Sequence, residues 1–252
     1  MICLALDTTT RDGSAALVVD DRVVDERRGD GSRSHAERLP AELLDVAAAH
    51  GVALTDVDVF AVAAGPGSFT GLRIGIATVQ GLAFVERRGV VAVSALEALA
   101  HLAAADAAPG SIVAAWIDAL RRDVYAASYR VVDAAPFAPE RLTAIAAPLV
   151  GDPGEILERW RAEGSTPSVC IGDGAGRYAE ILAAHAPGSR IGGVPLLAGA
   201  IGRVATWRAS RGETVRPEAV HPLYIRRPDA EVDRDRRNTK DTEDTPGTTL
   251  RP

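Results

Sequence analysis

The stretch LALDTTTRDGSAALVV, residues 4–19, decides the fold because a later stretch repeats its pattern. AWIDALRRDVYAASYR, residues 115–130, aligns with it without a gap, so that Asp7 matches Asp118 and Asp12 matches Asp123. Each copy is typical of an apolar strand that ends in Asp, followed by a short turn and a second strand. A repeat of this size indicates a duplicated supersecondary unit, although two matching aspartates can also arise by chance.

The order of the surrounding elements favours duplication over chance. Ser34 followed by Glu37 predicts a capping box that opens a helix, and Gly51 ends that helix. In the first half the pattern predicts strands at 2–7, 14–19, 23–26, 57–64 and 90–93, and helices at 34–50, 68–86 and 94–104. In the second half it predicts two strands within 115–130, one before and one after the turn, and a third strand at 168–171. The helices predicted there are at 153–163, 175–185 and 195–210.

A break in this pattern divides the chain into lobes. The sequence Ala-Ala-Pro-Gly at residues 107–110 is typical of a boundary between elements. We therefore predict a first lobe at 1–106 and a smaller second lobe at 110–227, with helix 195–210 free to pack back on the first lobe. Residues 228–252 are rich in Asp, Arg, Thr, Pro and Gly, and we expect a disordered tail there.

Composition excludes several classes of function. A formal net charge of −6 and a pI near 5.4 argue against a generally basic nucleic-acid-binding surface. Cys3 and Cys170 lie far apart and fit neither a disulfide framework nor a metal site, which favours a reducing cytoplasm. No basic leader precedes the first strand, and the apolar run 74–85 is too short for a membrane span. Of the 28 basic residues only Lys240 is not Arg, which argues against Walker-loop or Schiff-base chemistry in the folded body.

The duplicated β-β-β-α-β-α-β-α unit resembles the ribonuclease H-like folds of the sugar kinase, Hsp70 and actin superfamily. This resemblance implies an α/β protein with two lobes. In that superfamily the two strand-turn-strand hairpins grip the phosphates of ATP, which requires small residues in the turns. The first hairpin, DTTTRDGS, roughly keeps them. The second, DALRRDVY, places Leu120, Arg121, Arg122 and Val124 where Gly and Thr would let phosphate in.

A narrower resemblance covers nearly all of residues 1–227. Its motifs are LALDTTT, SHAERLPAELLD, GPGSFTGLRIGIATVQGLA, VSALEALA, IDALRRDVYAASY and HPLYIRRP. These are similar to the TsaB family, also called YeaZ. The resemblance implies a subunit of the bacterial machinery that adds threonylcarbamoyl to the adenosine beside the anticodon of tRNA. In that machinery TsaB is the non-catalytic partner of its paralogue TsaD, which performs the transfer, and the ATPase TsaE joins the pair.

The resemblance also implies that this chain is a pseudoenzyme. TsaD carries two metal-binding histidines four residues apart on a helix, and the matching positions here are Ala95 and Leu99. The five histidines of the chain include no pair at helical spacing, which also argues against a metallopeptidase. We expect no cofactor on this chain alone, with metal and nucleotide on TsaD and TsaE. Candidate remnants of a nucleotide site, or merely turn-stabilising residues, are Asp7, Thr8, Thr9 and Asp118.

The predicted helix after Gly-Pro-Gly carries Arg73 as its only charge between residues 68 and 85. Because it is apolar on nearly every side, a second surface should cover it. We predict that it pairs with the preceding helix in an interface that serves either the TsaD heterodimer or a homodimer; burial inside the lobe is the alternative. Leu72→Arg or Val79→Asp is then expected to leave the chain folded and abolish dimerisation. The predicted interface residues are Leu39, Leu43, Leu44, Gly71, Leu72, Gly75, Ile76, Val79 and Leu82.

Other functions stay open from the sequence. The main alternative is an independent ATP-dependent enzyme, a kinase or hydrolase, against which the bulky second hairpin argues. The Gly-rich turn at 171–176 could hold an adenosine, although such turns more often reverse the chain. Direct tRNA binding would rest on pairs such as Arg121-Arg122 or Arg226-Arg227, and the net charge opposes it. We therefore expect tRNA to be reached indirectly, through the complex.

Overall fold

The computed structural model describes residues 1–226. The first half of the chain closely follows the predicted order of strands and helices. Its elements are β1 (Ile2–Asp7), β2 (Ser14–Val19), β3 (Arg22–Arg28), α1 (His35–Ala48), β4 (Val59–Gly65), α2 (Phe69–Val85), β5 (Gly89–Ser94) and α3 (Ala95–Ala104).

The second half repeats this order with additional short elements, and its first two strands, β6 and β7, are longer than β1 and β2. They are β6 (Ile112–Asp118), β7 (Val124–Val131), β8 (Leu142–Ala144), β9 (Leu149–Gly151), α4 (Pro153–Ala162), β10 (Val169–Ile171), α5 (Asp173–Arg177), α6 (Ala179–His185), β11 (Arg190–Ile191) and α7 (Ala198–Ser210). The single helix predicted at 175–185 is two helices, because Tyr178 leaves helical geometry with φ −107° and ψ 29°.

The strands form two mixed sheets within the described residues, with the orders β3-β2-β1-β4-β5 and β11-β10-β6-β7-β8, while β9 also pairs with β7. In each sheet the first strand lies at the centre: β1 is antiparallel to β2 and parallel to β4, and β6 is antiparallel to β7 and parallel to β10. Both hairpins turn directly after the strand-ending Asp, with Asp7 paired to Ser14 and Asp118 paired to Val124. The second turn is therefore one residue shorter, and the predicted gapless alignment of the two repeats is wrong beyond the turn. The predicted duplicated, two-lobed ribonuclease H-like fold is confirmed.

Helices cover both faces of the first sheet, which is why every residue of β4 is buried. On one face α1 and α2 pack with Leu4, Leu6 and Phe60 of the sheet in one apolar cluster. On the other face lies α7, so the 195–210 region does pack against the first lobe. Its start is fixed by Ser14 Oγ, which accepts from the backbone N–H of Leu197 and of Ala198 at 3.3 and 3.0 Å.

The last described residues, 213–226, form a segment that we call the C-terminal strap, which contains one short 3-10 helix, Pro217–Ala219. It pairs with β5 through Val215 and Val90, then crosses α2, where Gln80 Nε2 donates to the carbonyl oxygens of Pro217 and Val220. The Leu223 N–H donates to the carbonyl of Ala64 at 2.7 Å. The tail predicted at 228–252 lies outside the described residues. Among the helices of residues 1–226, none has the length and apolarity to cross a membrane.

Candidate functional site

The first hairpin turn is organised by a buried carboxylate. Asp7 is 3% exposed, and its Oδ1 accepts hydrogen bonds from the Thr9 N–H at 2.9 Å and the Thr9 hydroxyl at 2.7 Å. Burial raises the pKa of Asp7, and this effect outweighs the two hydrogen bonds, which lower it. Asp7 therefore acts here as a turn-stabilising residue.

The second hairpin turn repeats this bond and then departs from it. Asp118 Oδ1 accepts from the Leu120 N–H at 3.1 Å, as Asp7 does from Thr9. Leu120, Arg121 and Arg122 then follow in left-handed conformation, with φ of 60°, 54° and 70°. Non-glycine residues rarely adopt this region. The second turn thus carries three side chains on a backbone shape that glycine would suit better.

Small residues of α2 and the preceding turn let the first hairpin approach closely. A Cβ added to Gly67 would lie 2.6 Å from Thr9 Cβ, and one added to Gly71 would lie 2.3 Å from the Thr8 carbonyl oxygen. At Gly75 an added Cβ would lie 2.2 Å from Thr8 Oγ1. Gly71 and Gly75 therefore face the hairpin, and their predicted place at a partner interface is wrong.

Most of the other predicted interface residues are also internal. Each is at most 4% exposed and packs in the core between the helices and the sheet: Leu39, Leu43, Leu72, Ile76 and Val79. They cannot contact a partner while this fold is kept. Because Leu72 and Val79 are buried, we now expect Leu72→Arg and Val79→Asp to disrupt the core instead of leaving the chain folded.

A different set of residues forms the outer surface of α1 and α2. Leu44 is 38% exposed, Phe84 73% and Val85 72%, and Ala77 and Gly81 of α2 are also exposed. We call these five residues the α1–α2 patch. Leu44 belongs to the predicted interface, and Leu82, also predicted, is partly buried at the edge of the patch.

A cleft of 1080 Å³ opens between the two hairpins. Its walls come from the first turn, the loop before α1, the start of α2, the second turn and the C-terminal strap. Ser68 caps α2 at the cleft, since its Oγ accepts from the Gly71 N–H at 3.2 Å. Of the four candidate nucleotide-site remnants, the cleft is lined by Thr9 and Asp118; Asp7 lies in a smaller adjoining pocket, and Thr8 is fully buried under α2.

One buried residue that supports the cleft was missed from the sequence. Arg38 in α1 is 1% exposed and donates to the backbone carbonyls of Arg11, at 3.1 Å, and of Asp12. It also forms an ion pair with Glu42, one helical turn later. From the sequence this pair is indistinguishable from an ordinary surface ion pair. The only available signal was its place beside Leu39, on the apolar side of the helix.

The Gly-rich turn at 171–176 supports the second hairpin. Gly172 has φ 113°, and a Cβ there would lie 2.1 Å from the Trp116 carbonyl oxygen. The next residue, Asp173, accepts from the Gly174 N–H at 2.8 Å and from the Asp118 N–H at 3.0 Å. These contacts give the Gly-rich turn a structural role: it reverses the chain and holds the second hairpin in place.

The positions matched to metal ligands are apolar and enclosed. Ala95 and Leu99 are 0% and 3% exposed, and Leu99 reaches the wall of the smaller pocket. His101 lies on the same helix, fully enclosed, and burial lowers its pKa to about 4, so that the ring is neutral at pH 7. Within residues 1–226, no group of three or more His, Cys, Asp or Glu side chains is arranged to hold a metal ion.

Comparison with known proteins places this geometry in a family. The sequence model described as "TsaD: tRNA N6-adenosine threonylcarbamoyltransferase" matches residues 29–174. An Escherichia coli protein named tRNA threonylcarbamoyladenosine biosynthesis protein TsaB is 31% identical over 227 residues, which cover 90% of this chain and 95% of that protein. The chain belongs to the TsaB (YeaZ) family. The resemblance carried by the sequence motifs is thus confirmed.

Solved structures agree with membership of the TsaB family. A Pseudomonas aeruginosa structure described as similar to peptidase YeaZ has a TM-score of 0.74 and 34% identity, covering 89% of this chain and 99% of that one. A structure described as YeaZ from the same organism has a TM-score of 0.71 and 33% identity, covering 88% of this chain and 99% of that one. The TsaB family thus shares this fold over nearly the whole described chain.

Proposed function

We propose that the chain is a non-catalytic subunit in the biosynthesis of threonylcarbamoyladenosine in tRNA, and that it binds and positions a catalytic TsaD-type paralogue. The reaction comes from the name of the E. coli relative, which aligns over almost its full length. The paralogue is suggested by the match of residues 29–174 to the TsaD family. The TsaE ATPase joins the pair, and metal and nucleotide are bound by the partners.

The observation that carries this proposal is the α1–α2 patch. Phe84 and Val85 are more than two-thirds exposed, at 73% and 72%, in a helix whose only charge is Arg73. Exposed apolar groups on neighbouring elements are typical of a protein contact surface. α1 and α2 pack against each other, and His35 near the start of α1 lies close to Gly71 near the start of α2.

The hypothesis that this chain is not itself the transferase rests on the enclosed apolar positions. TsaD resemblance places metal-binding histidines where this chain has Ala95 and Leu99. A methyl group and an isobutyl group cannot ligate a metal ion. The chain is then a structural partner, and the same patch serves a homodimer when TsaD is absent.

Charge substitution in the patch tests the proposal. Because Phe84 is largely exposed, Phe84→Asp should keep the fold while placing a charge in a desolvated contact. We expect at least a 100-fold loss of affinity for the cognate TsaD, measured by light scattering of the mixture, and loss of tRNA modification in the reconstituted system.

The matched control is Ile191→Asp, an apolar residue of the other lobe that is 38% exposed. It should leave both measurements unchanged. Full complex formation by a folded Phe84→Asp variant would contradict the proposed surface. Micromolar ATP binding by the chain alone, measured by calorimetry, would instead favour an independent ATP-dependent enzyme.

A further inference from the structure

The cleft between the hairpins is basic, although the chain as a whole carries a net charge of −6. Two of the arginines in its walls, Arg11 and Arg33, donate to backbone carbonyls, of Gly31 at 2.9 Å and of Glu37 at 3.1 Å. Among residues 1–226 no carboxylate lies within 4 Å of either guanidinium group. Their charge is thus available to an anionic ligand. Arg121 and Arg226 line the same cleft.

Acidic side chains in the cleft are already engaged. Asp118 accepts from the Leu120 N–H at 3.1 Å and lies 3.5 Å from Arg177. Asp173 accepts two backbone N–H groups, as described above. The negative charges of both carboxylates are therefore partly offset by their N–H and guanidinium partners. They repel an anion in the cleft less than unpartnered carboxylates would.

An aromatic platform borders the basic walls. Phe69 and Tyr224 stack with ring centroids 5.3 Å apart, and they remain 39% and 37% exposed. The Arg73 guanidinium lies 3.9 Å from the centroid of the Phe69 ring and donates to the Tyr224 hydroxyl at 2.9 Å. Arg73 also has no carboxylate within 4 Å in the described part of the chain. The platform therefore combines a positive charge with exposed ring surface.

We propose that this cleft binds single-stranded RNA directly. Arg11, Arg33 and Arg73 would contact the phosphates, and an unstacked base would lie against Phe69 and Tyr224. Basic grooves beside exposed aromatic rings are how proteins hold unpaired nucleotides. The inference deepens the proposed function and rests on it for the source of the RNA, the anticodon loop of the tRNA substrate.

A free mononucleotide is the less favoured ligand. Phosphate binding by a hairpin requires backbone N–H groups that the anion can approach closely. In the second turn Leu120, which is 68% exposed, Arg121 and Arg122 surround the backbone with side chains. The charges available instead lie on long side chains along the rim of the cleft, which suits a chain of successive phosphates.

Fluorescence anisotropy with a labelled, unmodified anticodon stem-loop tests the proposal on the purified chain. The combined variant Arg11→Ala, Arg33→Ala, Arg73→Ala should weaken binding at least about 10-fold. It should also lower the slope of log affinity against log salt by about 2, since each single-strand phosphate contact contributes roughly 0.7. Phe69→Ala should weaken binding and leave the salt slope unchanged, because stacking does not release counterions.

The control is Arg22→Ala. Arg22 is exposed and pairs with Val19, whereas Asp7, next to the turn that lines the cleft, pairs with Ser14, so Arg22 lies at the opposite end of the two strands. It should bind RNA like the unaltered chain. The proposal is overturned by absence of RNA binding at low salt, by full binding of the combined variant, or by ATP binding in the cleft without RNA binding.

A separate measurement distinguishes this inference from the proposed function. The combined variant leaves the α1–α2 patch intact, so its complex with TsaD should keep the mass of the unaltered complex. If the unaltered chain forms no complex with TsaD, the proposed function fails, and the anisotropy result on the chain alone still decides whether the cleft binds RNA.

Discussion

The two hairpin turns began as copies and now differ in what their backbones allow. In both, the Asp that ends the first strand accepts a hydrogen bond from the residue two positions later. In the first turn Thr8 and Thr9 are buried and lie against Gly67, Gly71 and Gly75 of the helix region. The second is exposed, with Leu120–Arg122 in left-handed conformation. The shared aspartate preserves the strand-turn-strand shape, while the turn residues determine whether a ligand can approach.

Replacing glycine beside the first turn gives the largest expected effect. In Gly71→Ala the new Cβ would lie 2.3 Å from the backbone oxygen of Thr8, which cannot rotate away. Overpacking of this kind should lower the free energy of unfolding by about 2 to 3 kcal/mol. The measurement is denaturant unfolding followed by circular dichroism.

Gly81→Ala is the matched control in the same helix. No atom lies within 4 Å of its added Cβ, so higher helix propensity should raise the free energy of unfolding by about 0.5 to 1 kcal/mol. Equal stability of the two variants would mean that the first turn does not press on α2.

Removing each turn carboxylate compares the copies directly. Asp7→Ala leaves the buried Thr9 N–H and hydroxyl without their acceptor and should lower the free energy of unfolding by about 2 kcal/mol. Asp118→Ala, at a more accessible turn, should lower it by about 1 kcal/mol. Similar losses in thermal unfolding of the two variants would argue that both turns are equally enclosed.

Asp7 also makes the free energy of unfolding depend on pH, with a sign that follows from its raised pKa. Burial raises the pKa of Asp7 in the folded chain above its usual value of 3.8. As pH rises above 3.8 the unfolded chain loses this proton first, so the contribution of Asp7 to stability falls through the window between the two pKa values. Asp7→Asn keeps the acceptor oxygen and should lack this fall. The two proteins are compared by urea titrations between pH 3 and pH 7.

Relief of backbone strain tests the second turn alone. Arg122→Gly places glycine at φ 70° and should raise the free energy of unfolding by about 1 kcal/mol. In the first turn, Arg11→Gly has no left-handed residue to relieve and should lower it by about 0.5 to 1 kcal/mol. Thermal unfolding measures both changes. If both variants are less stable than the unaltered chain, backbone strain does not distinguish the two turns.

The smallest effect is expected where the C-terminal strap holds the second turn. Arg226 donates to the Ala119 carbonyl at 3.0 Å and forms an ion pair with Asp123. The pair is partly exposed, so Arg226→Ala should lower stability by about 0.5 kcal/mol and speed amide hydrogen exchange in the turn. Arg216→Ala, whose ion pair with Glu218 is largely exposed, should leave that exchange unchanged.

Periodicity and capping predicted the long elements well, because apolar spacing and the Ser34–Glu37 pair are local signals. Direction of packing is not local. An almost uncharged helix gives no sign of which side meets its own sheet, so Leu72 and Val79 were assigned outward while Ala77 and Phe84 are the exposed residues. Arg38 and the strap were missed for the same reason: their partners are distant in sequence.

The packing of α7 on the first sheet affects the order in which the chain can fold during synthesis. Residues 1–104 leave the ribosome with one face of their sheet covered only in part, by α3, until residue 210 has been made. At about 5 to 20 residues per second, that delay is roughly 5 to 20 seconds. The second-lobe elements from β6 to β11 are synthesised after the first sheet and before α7, the helix that covers it. The first lobe is therefore translated first but completed only after those elements have been made.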